Sequence, residues 1–375
     1  MVSLRASLCM AACLAAALPV AGRALLDPLT ARVLHEPSRF RGDDGRDHLV
    51  YELEVINVAE QPTTVSRLEV TGPGGIRHIL DQRQLAASFR RFGSREEPRT
   101  LTLDSGVAGL IYLEIVSAEG AALRGPLSHR LTVETGEAAG REIRTIDLAP
   151  VAVVTAPLPQ IGPPVRGGPW LVENGPSNTS GHRRLPISLD GRATLFQRYA
   201  IDYIKLDEQG RQLLGDRLDN RSYFTEGQEA IAVADAAVVA ATDGIAENVP
   251  DQTPQGDALS LATVYGNCVV LALKGGQFAV YAHLLPGSVR VRAGDRVRRG
   301  QVLAKIGNTG NSIMPHLHFQ LADSPATLSG EGLPYAHARF EWLGKCATEG
   351  GSCAMQTPQS IRDALPLNQS IVRFE

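Results

Sequence analysis

The chain is constrained most by its punctuation: short apolar runs, many of them alternating, are cut at regular intervals by turns rich in glycine and proline. Gly and Pro number 37 and 23 of 375 residues, and helix-favouring residues rarely fall into a 3.6-residue period. Turn-rich β structure is therefore favoured, and the chain is expected to be all-β. The runs of the first half are His48 to Val58, Thr64 to Val70, Arg99 to Leu103, Gly109 to Val116, Leu131 to Val133 and Ile143 to Leu148. Separators such as Thr71-Gly72-Pro73-Gly74-Gly75 and Glu119-Gly120 lie between them. This spacing predicts an immunoglobulin-like β-sandwich over residues 26–155, with a helical turn or two around Gln82 to Phe92.

A chain of 375 residues is long enough for two or three cores. Residues 156–169 form a Pro/Gly-rich stretch, expected to be an extended linker at a domain boundary. A second β-rich unit is expected over 170–342, with strands at Arg198 to Leu206, Ala230 to Val233, Ala237 to Ala241, Leu261 to Val264, Val269 to Leu273 and Gln277 to His283. Lys274-Gly275-Gly276 joins the last two as a hairpin. Residues 343–375 read as an irregular C-terminal tail with one short helix near Gln359 to Ala364.

Residues 1–24 read as a secretory signal peptide: Arg5, an apolar stretch from Ala6 to Ala21, then small residues suited to cleavage after Gly22 or Ala24. An exported, periplasmic or secreted protein follows, with no stable membrane span after cleavage. Met10-Ala11-Ala12-Cys13 is a weak lipoprotein box, and a lipidated form is disfavoured. Lys and Arg total 37 against 40 Asp and Glu, so the basic surface that nucleic-acid binding needs is missing. In an oxidising compartment Cys346 and Cys353, flanking Gly350-Gly351, are candidates for a disulfide, whereas Cys268 sits in an apolar run and reads as a buried thiol.

The strongest local signal is Pro315-His316-Leu317-His318-Phe319-Gln320-Leu321. Residues two apart on a strand face the same side, so His316 and His318 present two imidazoles together, suited to a metal ligand and a neighbouring acid or base. Upstream lie Tyr281-Ala282-His283-Leu284, Gly294-Asp295-Arg296-Val297, Gly300-Gln301-Val302-Leu303 and Ile306-Gly307-Asn308-Thr309-Gly310-Asn311-Ser312. This ordered series resembles the catalytic core of the lysostaphin-like zinc metallopeptidases, an exported family that cuts peptides of peptidoglycan. The resemblance spans roughly residues 170–325 and implies a small two-sheet antiparallel β fold with an open groove.

In that family a His-x-x-x-Asp motif and the second His of His-x-His hold zinc. The resemblance carries these roles to Asp202 and His318, but position 198 is Arg, which has no lone pair for a metal. Branches with an Asn-Gly-Pro loop and a His-Arg pair before a Gln-Arg-Tyr-Ala-Ile-Asp strand, matched here at Asn174 to Pro176, His182-Arg183 and Gln197 to Asp202, imply His182 as the replacement ligand. One Zn(2+) per chain on His182, Asp202 and His318 would keep a fourth position for water, the pattern of a catalytic site. The resemblance gives His316 as general base and His283 as the second catalytic imidazole. The expectation is a zinc metalloendopeptidase hydrolysing peptide bonds in cell-wall peptidoglycan, with the first domain open to a protein partner. The alternative is a zinc-free degenerate module that binds or activates envelope enzymes.

Overall fold

The computed structural model describes residues 26–375 except 95, 97, 137–139, 190, 255–259, 327 and 348–351, so the signal segment 1–24 lies outside the described residues. Its first part runs β1 (Leu29–Val33), β2 (Phe40–Arg41), β3 (Asp47–Asn57), β4 (Thr63–Gly72), β5 (Ile76–Leu80), α1 (Gln82–Ser88), β6 (Phe89–Arg91), β7 (Thr102–Leu103), β8 (Ala108–Val116), β9 (Ser128–Thr135) and β10 (Glu142–Asp147). These make two antiparallel sheets, ordered β1-β3-β8-β6 and β10-β9-β4-β5, with β2 on β3 and β7 on β4. Alternation along β3 and β4 sends Leu49, Tyr51, Leu53, Val55, Val65, Leu68 and Val70 into one shared apolar core. Helix α1 falls where the sequence predicts a helical turn, and Asp81 caps it by accepting from Gln84 N at 2.9 Å.

The second part runs β11 (Gln160–Ile161), β12 (Gly167–Glu173), β13 (Ile187–Leu189), β14 (Arg192–Thr194), β15 (Ile201–Lys205), β16 (Glu229–Ile231), β17 (Ala236–Thr242), β18 (Asn267–Ala272) and β19 (Phe278–Leu284). It continues through β20 (Arg296–Val297), β21 (Val302–Lys305), β22 (Leu317–Ala322), β23 (Gly332–Leu333), β24 (Ala336–Cys346), β25 (Cys353–Ala364) and β26 (Ser370–Phe374). One large sheet dominates, ordered β11-β24-β26-β12-β15-β22-β19-β18-β17-β20. Its core gathers Trp170, Tyr203, Val269, Tyr281, Phe319 and Tyr335, all buried. Among the described residues, no helix is long and apolar enough to cross a membrane.

Three segments differ from the sequence expectation. The C-terminal segment is neither irregular nor helical: β24 and β25 form a long antiparallel hairpin, with Cys346 and Cys353 joined by a disulfide, and β26 lies between β24 and β12. Gln359 to Ala364 has a polar, helix-compatible composition, but cross-strand pairing from His337 to Cys346 decides its conformation. Leu261 to Val264 is a turn instead of a strand, because the Thr263 and Val264 amides both donate back to the Ser260 carbonyl, at 3.1 and 2.9 Å. Within the Pro/Gly stretch, β11 pairs in parallel with β24, so part of it is built into the large sheet.

The sandwich and the large sheet pack through apolar and ionic contacts. Phe40 and Val50 of the sandwich join the core cluster of the large sheet, and Phe40 meets Tyr199 edge-on with ring centroids 5.8 Å apart. Leu110 and Tyr112 of β8 pack with Leu195.

Candidate metal centre and its histidine cluster

Strand register builds half of the site. Strand β15 lies beside β22 with Asp202 directly opposite His318, so the two side chains share a face. His318 Nδ1 lies 3.0 Å from Asp202 Oδ1. Gln320, two residues further along β22, stands on the same face. Its Nε2 donates to the Phe196 carbonyl at 3.1 Å, which leaves its Oε1 to accept from His318 Nε2 at 2.9 Å. Gln197 approaches the same nitrogen only to 3.4 Å, too far to compete. With the proton on Nε2, His318 aims the Nδ1 lone pair at a carboxylate oxygen. Acceptor against acceptor in a buried site is unfavourable unless a cation joins them.

The third group comes from the loop after β12. His182 Nε2 lies 3.2 Å from Asp202 Oδ2, and its other ring nitrogen is buried with no hydrogen-bond partner among the described residues. Asn174, at φ +53°, donates through Nδ2 to Asp202 Oδ2 at 3.0 Å and accepts at its carbonyl from Ser180 Oγ at 2.7 Å, tying the loop's start to its end. The candidate ligand atoms of His182, Asp202 and His318 all lie within 4.8 Å of one another. A tetrahedral zinc site needs donor atoms about 3.3 Å apart. Two imidazoles and one carboxylate fit zinc in donor chemistry, and the two imidazole-to-carboxylate contacts, 3.0 and 3.2 Å, are close to that spacing.

Two more imidazoles face the same place. His316 precedes β22; its Nδ1 donates to the Met314 carbonyl at 2.8 Å, and Nε2 lies 3.4 Å from Asp202 Oδ1. His283 needs a special backbone. Its neighbour Ala282 is the residue opposite His318, so in a regular strand His283 would point to the other face. A φ of +63° breaks the alternation, and Nδ1 donates to the Thr309 carbonyl at 2.7 Å, leaving Nε2 free. The His283 and His316 ring centroids are 4.8 Å apart.

The Ile306 to Ser312 motif supplies this support. Thr309 Oγ1 donates to the Leu284 carbonyl at 3.0 Å and accepts from the Asn267 amide at 2.9 Å. Gly266 and Gly310, at φ +60° and +74°, cross so closely that a Cβ on either would collide with the other segment.

The electrostatics of the four buried groups differ. Burial alone would raise Asp202, but the His182 and His316 imidazoles outweigh it and hold its carboxyl well below the usual range. Burial also lowers His316, yet the Asp202 carboxylate reverses this and leaves the ring raised, with Glu173 adding to the effect. His283 is pushed well below the ordinary histidine value by burial and then by the neighbouring His316 and His318. His318 is lowered as well, its burial outweighing the opposing pull of the Asp202 carboxylate.

A cavity of about 220 Å³ opens over this cluster, walled by His182, Tyr265, His283 and His316 together with Leu185 and Ile313. The last two remain 42% and 50% exposed, an apolar rim beside a polar floor. The structure thus brings His182, Asp202, His283, His316 and His318 to one place. Arg198 is turned away: its Nε donates to Glu52 Oε2 at 2.9 Å and Nη1 to Glu331 Oε2 at 2.7 Å. Sequence reasoning missed Asn174, Gln320 and Thr309 as supports. Gln320 alone carried a local signal, its place two residues from His318.

A buried His/Asp/His cluster thus lies beside two further imidazoles, each held by a backbone carbonyl. Residues 223–328, a little over a quarter of the chain, match the family model described as Peptidase family M23. The match includes His283, His316 and His318 and begins after Asp202. Among solved structures, the chain is similar to the catalytic domain of the antimicrobial peptidase lysostaphin from Staphylococcus simulans, at 20% identity over 45% of this chain and 88% of that one, TM-score 0.24. It is also similar to the catalytic domain of the prophage-encoded M23 protein EnpA from Enterococcus faecalis, at 18% identity over 48% and 94%, TM-score 0.26. A third likeness is to the SpoIIQ-SpoIIIAH pore forming complex, at 16% identity over 46% and 88%, TM-score 0.27.

Proposed function

We propose that the protein is an exported zinc metalloendopeptidase that hydrolyses peptide bonds in cell-wall peptidoglycan, with His182, Asp202 and His318 as ligands of one zinc per chain. The observation that carries this reading is the His318 tautomer, fixed by Gln320 so that a lone pair faces Asp202 while His182 closes the set. When bound, zinc supplies Lewis acidity and brings the pKa of water toward ~7. His316, whose Nδ1 proton is committed to Met314, presents Nε2 to accept a proton from the attacking water. The water oxygen bonds to the carbonyl carbon, the C–N bond breaks, and the proton passes to the leaving amine. His283, held by Thr309, offers a second Nε2 to relay that proton. Leu185 and Ile313 give a peptide apolar contact at the rim.

We divide the chain into a first domain over 26–155 and a peptidase domain entered through 156–169. The order β1-β3-β8-β6 against β10-β9-β4-β5 supports an immunoglobulin-like reading of the first. The test is to measure zinc in the purified mature protein and to analyse the products of its incubation with purified peptidoglycan. New amino termini within wall peptides, abolished by chelation and restored by zinc, are expected. A zinc-free protein that leaves the wall intact would favour the non-catalytic binding module.

A further inference from the structure

Glu52 sits in the middle of β3, fully buried, in a strand whose other role is to carry the sandwich core. A lone buried carboxylate is costly, so what surrounds it should explain it. Glu52 Oε1 accepts from Arg183 Nε at 2.7 Å, and Oε2 accepts from Arg198 Nε at 2.9 Å. Arg183 is itself fully buried and donates further to the Tyr51 and Leu113 carbonyls, at 2.6 and 2.9 Å, and to Asn178 Oδ1 at 2.7 Å. Arg198 also reaches Glu331, so two carboxylates balance two guanidinium groups. Burial works against the Glu52 charge, but the two arginines outweigh it and keep the carboxyl below its ordinary value.

Arg183 directly follows His182. Its neighbour Arg184 is tied as well, donating to the Asn178 carbonyl at 2.6 Å and to the Ala87 carbonyl of α1. The residues after His182 are therefore riveted to the sandwich, while the cavity above the site is lined by residues of the large-sheet part alone. A guanidinium fork held at both ends fixes backbone position as well as charge.

We propose that Glu52 is a positioning residue for the metal centre: through Arg183 it holds the loop that presents His182, so the first domain completes the zinc site from behind instead of covering the groove. This rests on the zinc reading above. Arg198, where the family places its ligand, serves the same anchor.

The full mature chain should be compared with Glu52→Gln, Glu52→Asp and a Glu69→Gln control, Glu69 being a sandwich carboxylate paired only with arginines on its own sheet. Zinc affinity is read by chelator competition, and site geometry by the visible spectrum of the Co(II)-loaded protein. Glu52→Gln should weaken zinc by about 10-fold or more and change the Co(II) spectrum, in line with supporting residues around metal ligands. Glu52→Asp should recover part of the loss, and Glu69→Gln should match wild type. A folded Glu52→Gln protein with zinc affinity within twofold of wild type would overturn the proposal.

Wild-type protein gives a second test, which stands if Glu52→Gln does not fold. Coupling is reciprocal, so zinc should slow hydrogen exchange in β3 and β8. Slowing confined to the large-sheet part would also overturn it. If wild type takes up no zinc, the zinc reading itself has failed; if it takes up zinc but β3 is indifferent, only the role of Glu52 has.

Discussion

The proposed metal centre has two halves of different origin. Asp202 and His318 face each other across adjacent strands in the interior of the large sheet, and their separation is a consequence of register. His182 reaches the same point from a loop whose position depends on Asn174 and on arginines bound to the sandwich. A strand pair is rigid on its own. A loop is positioned only as well as its anchors, and here some of them, the partners of Arg183 and Arg184, belong to the other part of the molecule. In the proposed site two ligands thus come from the large sheet itself, and the third is held in part across the contact with the sandwich.

The variants that separate these halves differ in size of effect. Removing a sheet-borne ligand, in His318→Ala or Asp202→Ala, should eliminate zinc and bring wall hydrolysis to background; zinc retained in both would exclude the sheet-borne half. His316→Ala and His283→Ala should keep zinc yet lose about 10² to 10⁴-fold in kcat, the range for a positioned acid or base. A zinc loss in either would move that residue from proton transfer to ligation. Gln320→Ala frees the His318 tautomer and should cost about 10 to 100-fold in zinc affinity with the fold intact, measured by chelator competition.

A last expected effect is on stability and not on the site's chemistry. Breaking the buried ion network in Glu52→Gln should cost about 3 to 5 kcal/mol at neutral pH, read by denaturant unfolding. The carboxyl is held below its ordinary value of 4.5 in the folded protein. Its contribution is therefore full above that value and is lost as pH falls through the lower, folded value. The gap between wild type and Glu52→Gln should accordingly shrink below pH 4.5, and a gap unchanged at pH 3 would show that the charge is not what stabilises the contact.

The same division explains what could be read from sequence. His316 and His318 were legible as a pair through strand alternation, whereas Asp202 and His283 were legible only through the resemblance of the motifs that contain them. The positive φ that turns His283 into the site was not, since it depends on Thr309 and the Gly266/Gly310 crossing. Glu52 lies 131 positions from Arg183, and no local pattern links them. Arg198 was legible as a departure from the family but not as an anchor. The strand at Gln359 to Ala364 was misread because its polar composition reflects exposure on a hairpin, where pairing with β24 and not an apolar face sets the conformation.

In the proposed site His182 stands in for the ligand that Arg198 cannot be. Elemental analysis of the mature wild type and His182→Ala, purified side by side, tests it most directly. Close to one zinc per wild-type chain and a sharp drop in the variant is the predicted result; full zinc occupancy in His182→Ala would contradict it.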